Sequence, residues 1–344
     1  MNTKKTFIDT TRNKMFSILR KEIGGRDVCL LDLPNYYNPG DQLIWEGEEQ
    51  ILKQLNIKVK YRASHFYFNE KMISNNDCII LHGGGNFGDI YEQHQKFKEA
   101  IIRKFPQNKI IICSSTVHFT YKDNLRKSAK LFSKHPNVII FARDKKSFRI
   151  LQDNFKNAKC YLMPDMAFGI KKIKKISHKS KDKQILFHFR TDNEKSCLHK
   201  DSLDFINYLY ISDWKPYCQK SFKGNIHWWI TNINKVLLRL LKLRTHWNEK
   251  HDVYGMIKLH SKEAQIDAAV NFFQHYNLII TNRLHGHILA CLLGIPNIVL
   301  DNNYGKNKSF FETWMKKNTF NAYYANSTTD VYKIMKKHFP EYIK

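Results

Sequence analysis

Apolar residues along the chain gather into short runs. Between most of the runs lie longer stretches in which apolar positions recur every three or four residues. In the first half the runs are 28-VCLLDL-33, 57-IKVKY-61, 78-CIIL-81, 109-KIIIC-113, 138-VIIFA-142 and 159-KCYLM-163. Segments of helical period separate them at 41–55, 91–105, 123–135 and 144–155. Continuous apolar strands alternating with helices predict a parallel sheet covered on both faces. The second half repeats the pattern with the strand 184-QILFHF-189, a helix over 261–276, the strand 277-NLIIT-281, a helix over 284–294 and the strand 297-NIVL-300. Two helical segments, 308–318 and 328–339, close the chain. A lysine-dense stretch, 171-KKIKKISHKSKDK-183, lacks either period and reads as a linker. The fold class expected is α/β, with two doubly wound, Rossmann-like domains facing a cleft. The N-terminal domain spans 1–170 and the C-terminal domain 184–305, with the linker at 171–183. A helical tail, 306–344, is free to pack back on the N-terminal domain. In such sheets ligands bind beyond the carboxyl ends of the strands.

Charge narrows the expected company. Lys and Arg number 57 against 31 Asp and Glu, a net charge of +26. A chain this basic meets nucleic acid, an anionic membrane face or phosphorylated substrates. The basic residues are scattered and not arranged as a stripe with stacking aromatics, which argues against nucleic acid. The segment 226-IHWWITNINKVLLRLLKLRTHW-247 has the make-up of an amphipathic helix that lies on a membrane, or of one that covers the second domain. The start of the chain shows no apolar core of a signal peptide, and no run approaches the roughly 20 residues that span a bilayer. A cytoplasmic protein is expected. Its seven cysteines include no CxxC pair and sit largely in apolar runs, as small buried hydrophobes of a reducing compartment.

Four stretches carry candidate chemistry. In 81-LHGGGNFGDIY-91, glycines after an apolar run suit close backbone approach to a ligand, or a tight strand-to-helix turn. The spacing is neither of the common phosphate-loop patterns. The next strand ends in 113-CSST-116, without the acid that would hold a ribose. In 38-NPGDQLIWEGEEQIL-52, Asp41 either caps the following helix or presents a carboxylate. Arg143 follows the strand 138–142 directly, and its guanidinium suits a carboxylate or phosphate, or a salt bridge to Asp144 or Asp165. The most specific stretch is 281-TNRLHGHILACLLGIPNIVLDNNYGK-306. Arg283 and His285 open a helix after a buried strand, and Lys306 lies just beyond the next one. Together they form an anion site that contains a titratable group. His287 should face away and serve the structure. Nowhere does the spacing suggest a metal site.

With 40-GDQLIWEG-47, 82-HGGGNFGD-89, 143-RDKKSF-148, 283-RLHGHILACLLGIP-296 and Lys306 in hand, the chain resembles the polysaccharide pyruvyl transferase family. The likeness runs from about residue 28 to residue 306 and is thinnest between Asp192 and Asp252. The resemblance implies a GT-B-like fold and transfer of pyruvate from phosphoenolpyruvate to hydroxyls of a surface polysaccharide or its lipid-linked precursor, giving a pyruvate ketal. It implies that Arg143, Arg283, His285 and Lys306 line the phosphoenolpyruvate site, on the C-terminal side. Asn38, Gly40, Asp41, Gly83, Gly84, Gly85 and Asn86 would line the acceptor side. His285 would be the general acid and Asp41 the base, with no cofactor beyond the donor itself and no metal. The partners implied are phosphoenolpyruvate, a glycan or lipid-linked saccharide and peripheral contact with the inner face of an anionic membrane, without nucleic acid. Capsule or exopolysaccharide synthesis would be the setting. A nucleotide-sugar glycosyltransferase of the GT-B type is the alternative. It would want an acid in the second domain to hold a ribose, and none follows Arg283 before Asp301.

Overall fold

The computed structural model describes residues 3–66, 68–171, 173, 184–190, 203–214, 253–315 and 320–344. The chain divides into two compact units, one built mainly on Ile8–Lys171 and the other mainly on Ala264–Lys344 with part of the chain before it.

The first unit is a parallel sheet of seven strands: β1 (Val28–Leu31), β2 (Val59–Ala63), β3 (Cys78–Leu81), β4 (Gly84–Gly88), β5 (Lys109–His118), β6 (Val138–Ala142) and β7 (Lys159–Leu162). The order is β2-β1-β3-β5-β6-β7, with β4 paired to the second half of β5. Every residue of β1, β3 and β6 is buried, as a sheet covered on both faces requires. The helices between strands are α2 (Pro39–Gln54), α3 (Glu92–Lys104), α4 (Lys122–Phe132) and α5 (Lys145–Asn154). Their apolar stripes close a core in which the rings of Phe87, Phe132 and Phe155 pack at centroid distances of 5.5–5.7 Å, Phe155 edge to face with both others. A further helix, α1 (Thr3–Ile23), buries Met15, Leu19 and Ile23 at four-residue spacing.

The second unit is a parallel sheet ordered β12-β11-β10-β8-β9. Its strands are β8 (Ile185–His188), β9 (Leu209–Ser212), β10 (Leu278–Thr281), β11 (Asn297–Leu300) and β12 (Ala322–Ala325). Helices α6 (Val253–Gln274), α7 (Leu284–Leu293), α8 (Lys306–Trp314) and α9 (Thr328–His338) accompany them. Residues 306–344, expected as helices only, supply the edge strand β12. Val331 and Met335 of α9 join the core of this sheet.

Both sheets reverse direction beside their first strand. In the first unit the chain passes from β1 to β2 on one side and later to β3 on the other. In the second it passes from β8 to β9, then to β10. In doubly wound sheets such reversal points, at the strands' carboxyl ends, are where ligands bind. Among the described residues no helix is long and apolar enough to cross a membrane. Cys29, Cys78, Cys113, Cys160 and Cys291 are free thiols, and burial pushes Cys78 up to about 12 and Cys160 up to about 11, so neither is a ready nucleophile. The linker 171–183 falls almost wholly outside the described residues, and the segment 226–247 wholly so.

Candidate active site

In the second unit the reversal point is formed by the ends of β8, β9 and β10. Arg283 is the N-cap of α7, with extended backbone, just after β10. Its guanidinium grips Asp213, the residue after β9: Nε donates to Oδ1 at 2.8 Å and Nη2 to Oδ2. The ring of Trp214 lies 5.7 Å below the guanidinium carbon. His188, the last residue of β8, is fully buried, with Nε2 3.4 Å from Asp213 Oδ1. Burial works against the Asp213 carboxylate, but His188 and Arg283 outweigh it and hold the group below the ordinary carboxylate range. Burial lowers His188 in turn, and Asp213 offsets only part of this. Gly286 is required here, because a Cβ would meet His188 Nδ1 at 2.4 Å and Thr281 Oγ1 at 2.7 Å. Space for the buried imidazole therefore comes from the first turn of α7.

His285 is the second residue of α7 and keeps partial exposure. Lys306 opens α8 and is nearly buried, its Nζ 5.2 Å from the centre of the Tyr304 ring. The next residue ties α8 to the rim of the sheet: Asn307 Nδ2 donates to the carbonyls of Asn282 and Leu300 at 2.8 and 2.9 Å. Asn282 Oδ1 accepts the backbone N–H of Arg190, at the end of β8, at 2.8 Å. Arg283 and His285 thus stand at the start of α7, and Asn307 ties the start of α8 to the residue before Arg283. Asp213 and His188 were not foreseen.

His287 is completely buried, as expected, with Nδ1 2.7 Å from Asn297 Oδ1. Burial depresses it to about 4, against an opposing contribution from Asn297. Between about pH 6.5, the ordinary histidine value, and 4, the unfolded chain takes up a proton that the folded chain refuses. Stability therefore falls as pH drops through that window, by up to about 3 kcal/mol in all. His287→Asn should lose this dependence. Urea unfolding of both proteins at pH 7 and pH 4 measures it, and parallel losses in the two would refute it.

The first unit's reversal point holds a different set. Asn38 is the N-cap of α2, accepting from Gly40 N at 3.1 Å, so of the two roles open to Asp41 the cap belongs to Asn38. Asp41 instead accepts from Tyr36 Oη at 2.8 Å and Asn38 Nδ2 at 2.7 Å through the same oxygen. The glycine stretch is also not a strand-to-helix turn. It interrupts β3 for two residues and resumes as β4, and the helix begins only at Glu92. A Cβ on Gly83 would lie 2.6 Å from the Ser114 carbonyl oxygen of β5. Gly84 has φ +112°, and its Cβ would fall 3.8 Å from Asp41 Oδ1. Gly83 and Gly84 therefore let two strands and the start of α2 close up. Buried Glu48 completes the turn, accepting from Gly83 N at 3.0 Å and meeting His82 Nδ1 at 2.9 Å. Burial opposes the charged form of His82, but Glu48 and the more distant Asp41 and Asp32 raise it above the ordinary value.

Asp32, the residue after β1, with φ 63°, was missed from the sequence. It is completely buried. Its Oδ2 accepts from Lys98 Nζ at 2.8 Å, and its Oδ1 lies 3.2 Å from His65 Nδ1 and 2.8 Å from His94 Nδ1. Burial disfavours this carboxylate, but Lys98 and the two histidines hold it far below the usual range. Asn86 adjoins the group, its carbonyl 3.5 Å from Lys98 Nζ. The Oδ1 of Asn86 and the Nε2 of His65 are buried polar atoms without a hydrogen-bond partner among the described residues.

Arg143 also lies in this unit, buried after β6. Its Nε donates to Thr116 Oγ1 at 2.7 Å and its Nη1 to Asp165 Oδ2 at 2.9 Å. Of the two carboxylates considered from the sequence, Asp165 takes the guanidinium, and Asp144 caps α5 by accepting from Ser147 N at 2.9 Å.

Fold and side chains thus define an α/β protein with charged forks at the carboxyl ends of parallel strands. The comparisons define it further. Residues 38–304 match the Polysaccharide pyruvyl transferase family, and the chain belongs to that family. It is 34% identical over 317 residues to EpsO of Bacillus subtilis (strain 168), named as a pyruvyl transferase, covering 89% of this chain and 93% of that one. It is 28% identical over 323 residues to Pyruvyl transferase 1 of Schizosaccharomyces pombe, covering 88% and 73%. The fold is similar to that of a functionally uncharacterised Klebsiella pneumoniae protein of known crystal structure, with a TM-score of 0.61, 20% identity, and coverage of 92% of this chain and 99% of that one.

Proposed function

We propose that this polysaccharide pyruvyl transferase takes its pyruvate from phosphoenolpyruvate and places it on two hydroxyls of one sugar as a ketal, in a surface glycan or its lipid-linked precursor. The observation that carries the donor assignment is the rim around Arg283. A guanidinium held by Asp213 is fixed in direction, and a fixed fork suits a planar carboxylate or a phosphate. His285 stands two residues on, within the first turn of α7, where backbone N–H groups favour an anion. Lys306 adds the positive charge that Arg283, paired with Asp213, does not.

In this reading His285 protonates C3 of the donor, leaving a cationic C2. An acceptor hydroxyl bonds to C2, the C2–O bond to phosphate breaks, and a second hydroxyl closes the ring. Of the two hydroxyl protons lost, one ends on the new methyl group and one on phosphate. The test is to incubate the full chain with phosphoenolpyruvate and either a panel of p-nitrophenyl hexosides or glycan from the native host. Phosphate release is followed together with product mass. Equimolar phosphate and pyruvylated sugar are expected. Transfer from a nucleotide sugar, with phosphoenolpyruvate inert, would replace this reading with the glycosyltransferase one.

A further inference from the structure

We infer that Thr281, His188 and Asp213 are positioning residues for Arg283, joined in a closed circuit of polar contacts that holds that residue by its backbone N–H and by its guanidinium at once. The consequence for the donor rests on the role proposed above for Arg283, but the circuit lies wholly within the second unit, at the ends of β8, β9 and β10. Arg283 stands at an N-cap, a place that favours short acceptor side chains, and it makes no cap hydrogen bond there. A guanidinium only donates, so it cannot take the first-turn N–H groups of α7. What the position supplies is a direction for the side chain, toward Asp213, and not a cap for the helix.

The circuit closes in one tautomer. Both oxygens of Asp213 accept from the guanidinium, so the carboxylate is ionised. His188 Nε2 lies 3.4 Å from Asp213 Oδ1 and has no hydrogen-bond partner among the described residues beyond this long contact. A lone pair there would face the carboxylate's negative charge, whereas an N–H is drawn to it. His188 is therefore protonated at Nε2, and its Nδ1 is the acceptor. Thr281 Oγ1 lies 3.2 Å from that Nδ1 and 3.1 Å from the His188 carbonyl oxygen. Its one proton goes to the ring in this tautomer, and would go to the carbonyl in the other. The same oxygen accepts from the Arg283 backbone N–H at 3.0 Å. Donation thus runs from Arg283 N–H to Thr281, to His188 and to Asp213, where the Arg283 guanidinium also ends. Thr281 and His188 are fully buried, and the imidazole packs against Trp214 and Phe273 at centroid distances of 4.6 and 5.1 Å. Removing any member frees Arg283 at one end while leaving its charge in place.

The test compares Thr281→Val, which keeps the shape and loses the hydroxyl, with Thr281→Ser, which keeps the hydroxyl and loses the methyl group. His188→Phe, which keeps a ring against Trp214 and Phe273, and Asp213→Asn complete the set. Phosphate release by the full chain gives kcat and the phosphoenolpyruvate KM, and melting temperature controls for folding. In Thr281→Val, His188→Phe and Asp213→Asn the KM should rise about 5–100-fold with kcat within about threefold of wild type, because a loosened fork loses binding shared by ground and transition states. Thr281→Ser should hold the KM near wild type. Nitrogen-15 spectra of the wild-type imidazoles, assigned against His188→Phe, should show His188 protonated at Nε2 near neutral pH, with its Nδ1 signal displaced in Thr281→Val. An unchanged KM in both Thr281→Val and His188→Phe would overturn the inference. So would Thr281→Ser as damaging as Thr281→Val, or a His188 protonated at Nδ1. If phosphoenolpyruvate neither binds to nor reacts with the wild type, the proposed donor fails, and the spectra alone uphold or sink the circuit.

Discussion

Lys98→Met should lower the unfolding free energy by about 3–5 kcal/mol, the usual cost of leaving one partner of a buried ion pair uncompensated. Lys98 and Asp32 are both fully buried, 2.8 Å apart, so solvent screens neither. Methionine fills much of the lysine's volume, so the loss reports charge more than packing. The pair contributes to stability above the ordinary aspartate value of about 3.9 and fades as pH falls through the depressed value of the folded state. In the variant this reverses: acid neutralises a carboxylate left without its ammonium, and the gap to wild type narrows as pH falls. Adding Asp32→Asn to Lys98→Met should recover much of the loss. Urea unfolding at two pH values settles the matter. A cost below about 1 kcal/mol at neutral pH would mean that the histidines, and not Lys98, carry the compensation.

His285→Ala should cost about 10²–10⁴ in kcat, or about 3–5 kcal/mol of transition-state stabilisation, the range for a positioned general acid. His285 is partly exposed on the first turn of α7, whereas His287 is sealed inside and bound to Asn297. Two histidines two residues apart thus offer an internal control. His287→Asn should alter the pH dependence of stability and leave the phosphate-release rate near wild type. His285→Ala should do the opposite, and should also suppress deuterium entry at the methyl carbon in heavy water. A rate within threefold of wild type in His285→Ala would move the acid role elsewhere.

How much of this could be read in the sequence depended on whether the signal was local. The strands 78–81, 138–142 and 297–300 are found at their expected bounds, because fully buried parallel strands are apolar at every position. β4 was hidden, since Gly84–Gly88 has no apolar run and becomes a strand only by pairing with β5. For the same reason β5 runs on to His118 through the polar 114-SSTVH-118. Edge strands β9 and β12 are short and half-buried, a weak pattern in any chain. The rim at Arg283 was legible because Arg, His and Lys follow two strands closely in sequence. The cluster at Asp32 was not, because its members sit at the ends of separate elements, up to 66 residues apart. One signal was available: an aspartate inside the apolar run 28-VCLLDL-33, where an unpaired charge would not be tolerated. Asp213 lay in the stretch where the family likeness is thinnest.

The grip of Asp213 on Arg283 bears on selectivity. A lone arginine attracts any anion, and a cell is crowded with phosphate, sulfate and nucleotides. An arginine already neutralised by its own carboxylate draws little by long-range attraction and offers only the directions of its N–H bonds. Such a fork recognises outline before charge. Any dependence of anion binding at this rim on ionic strength should therefore follow Lys306 and not Arg283, even in a chain carrying a net charge of +26.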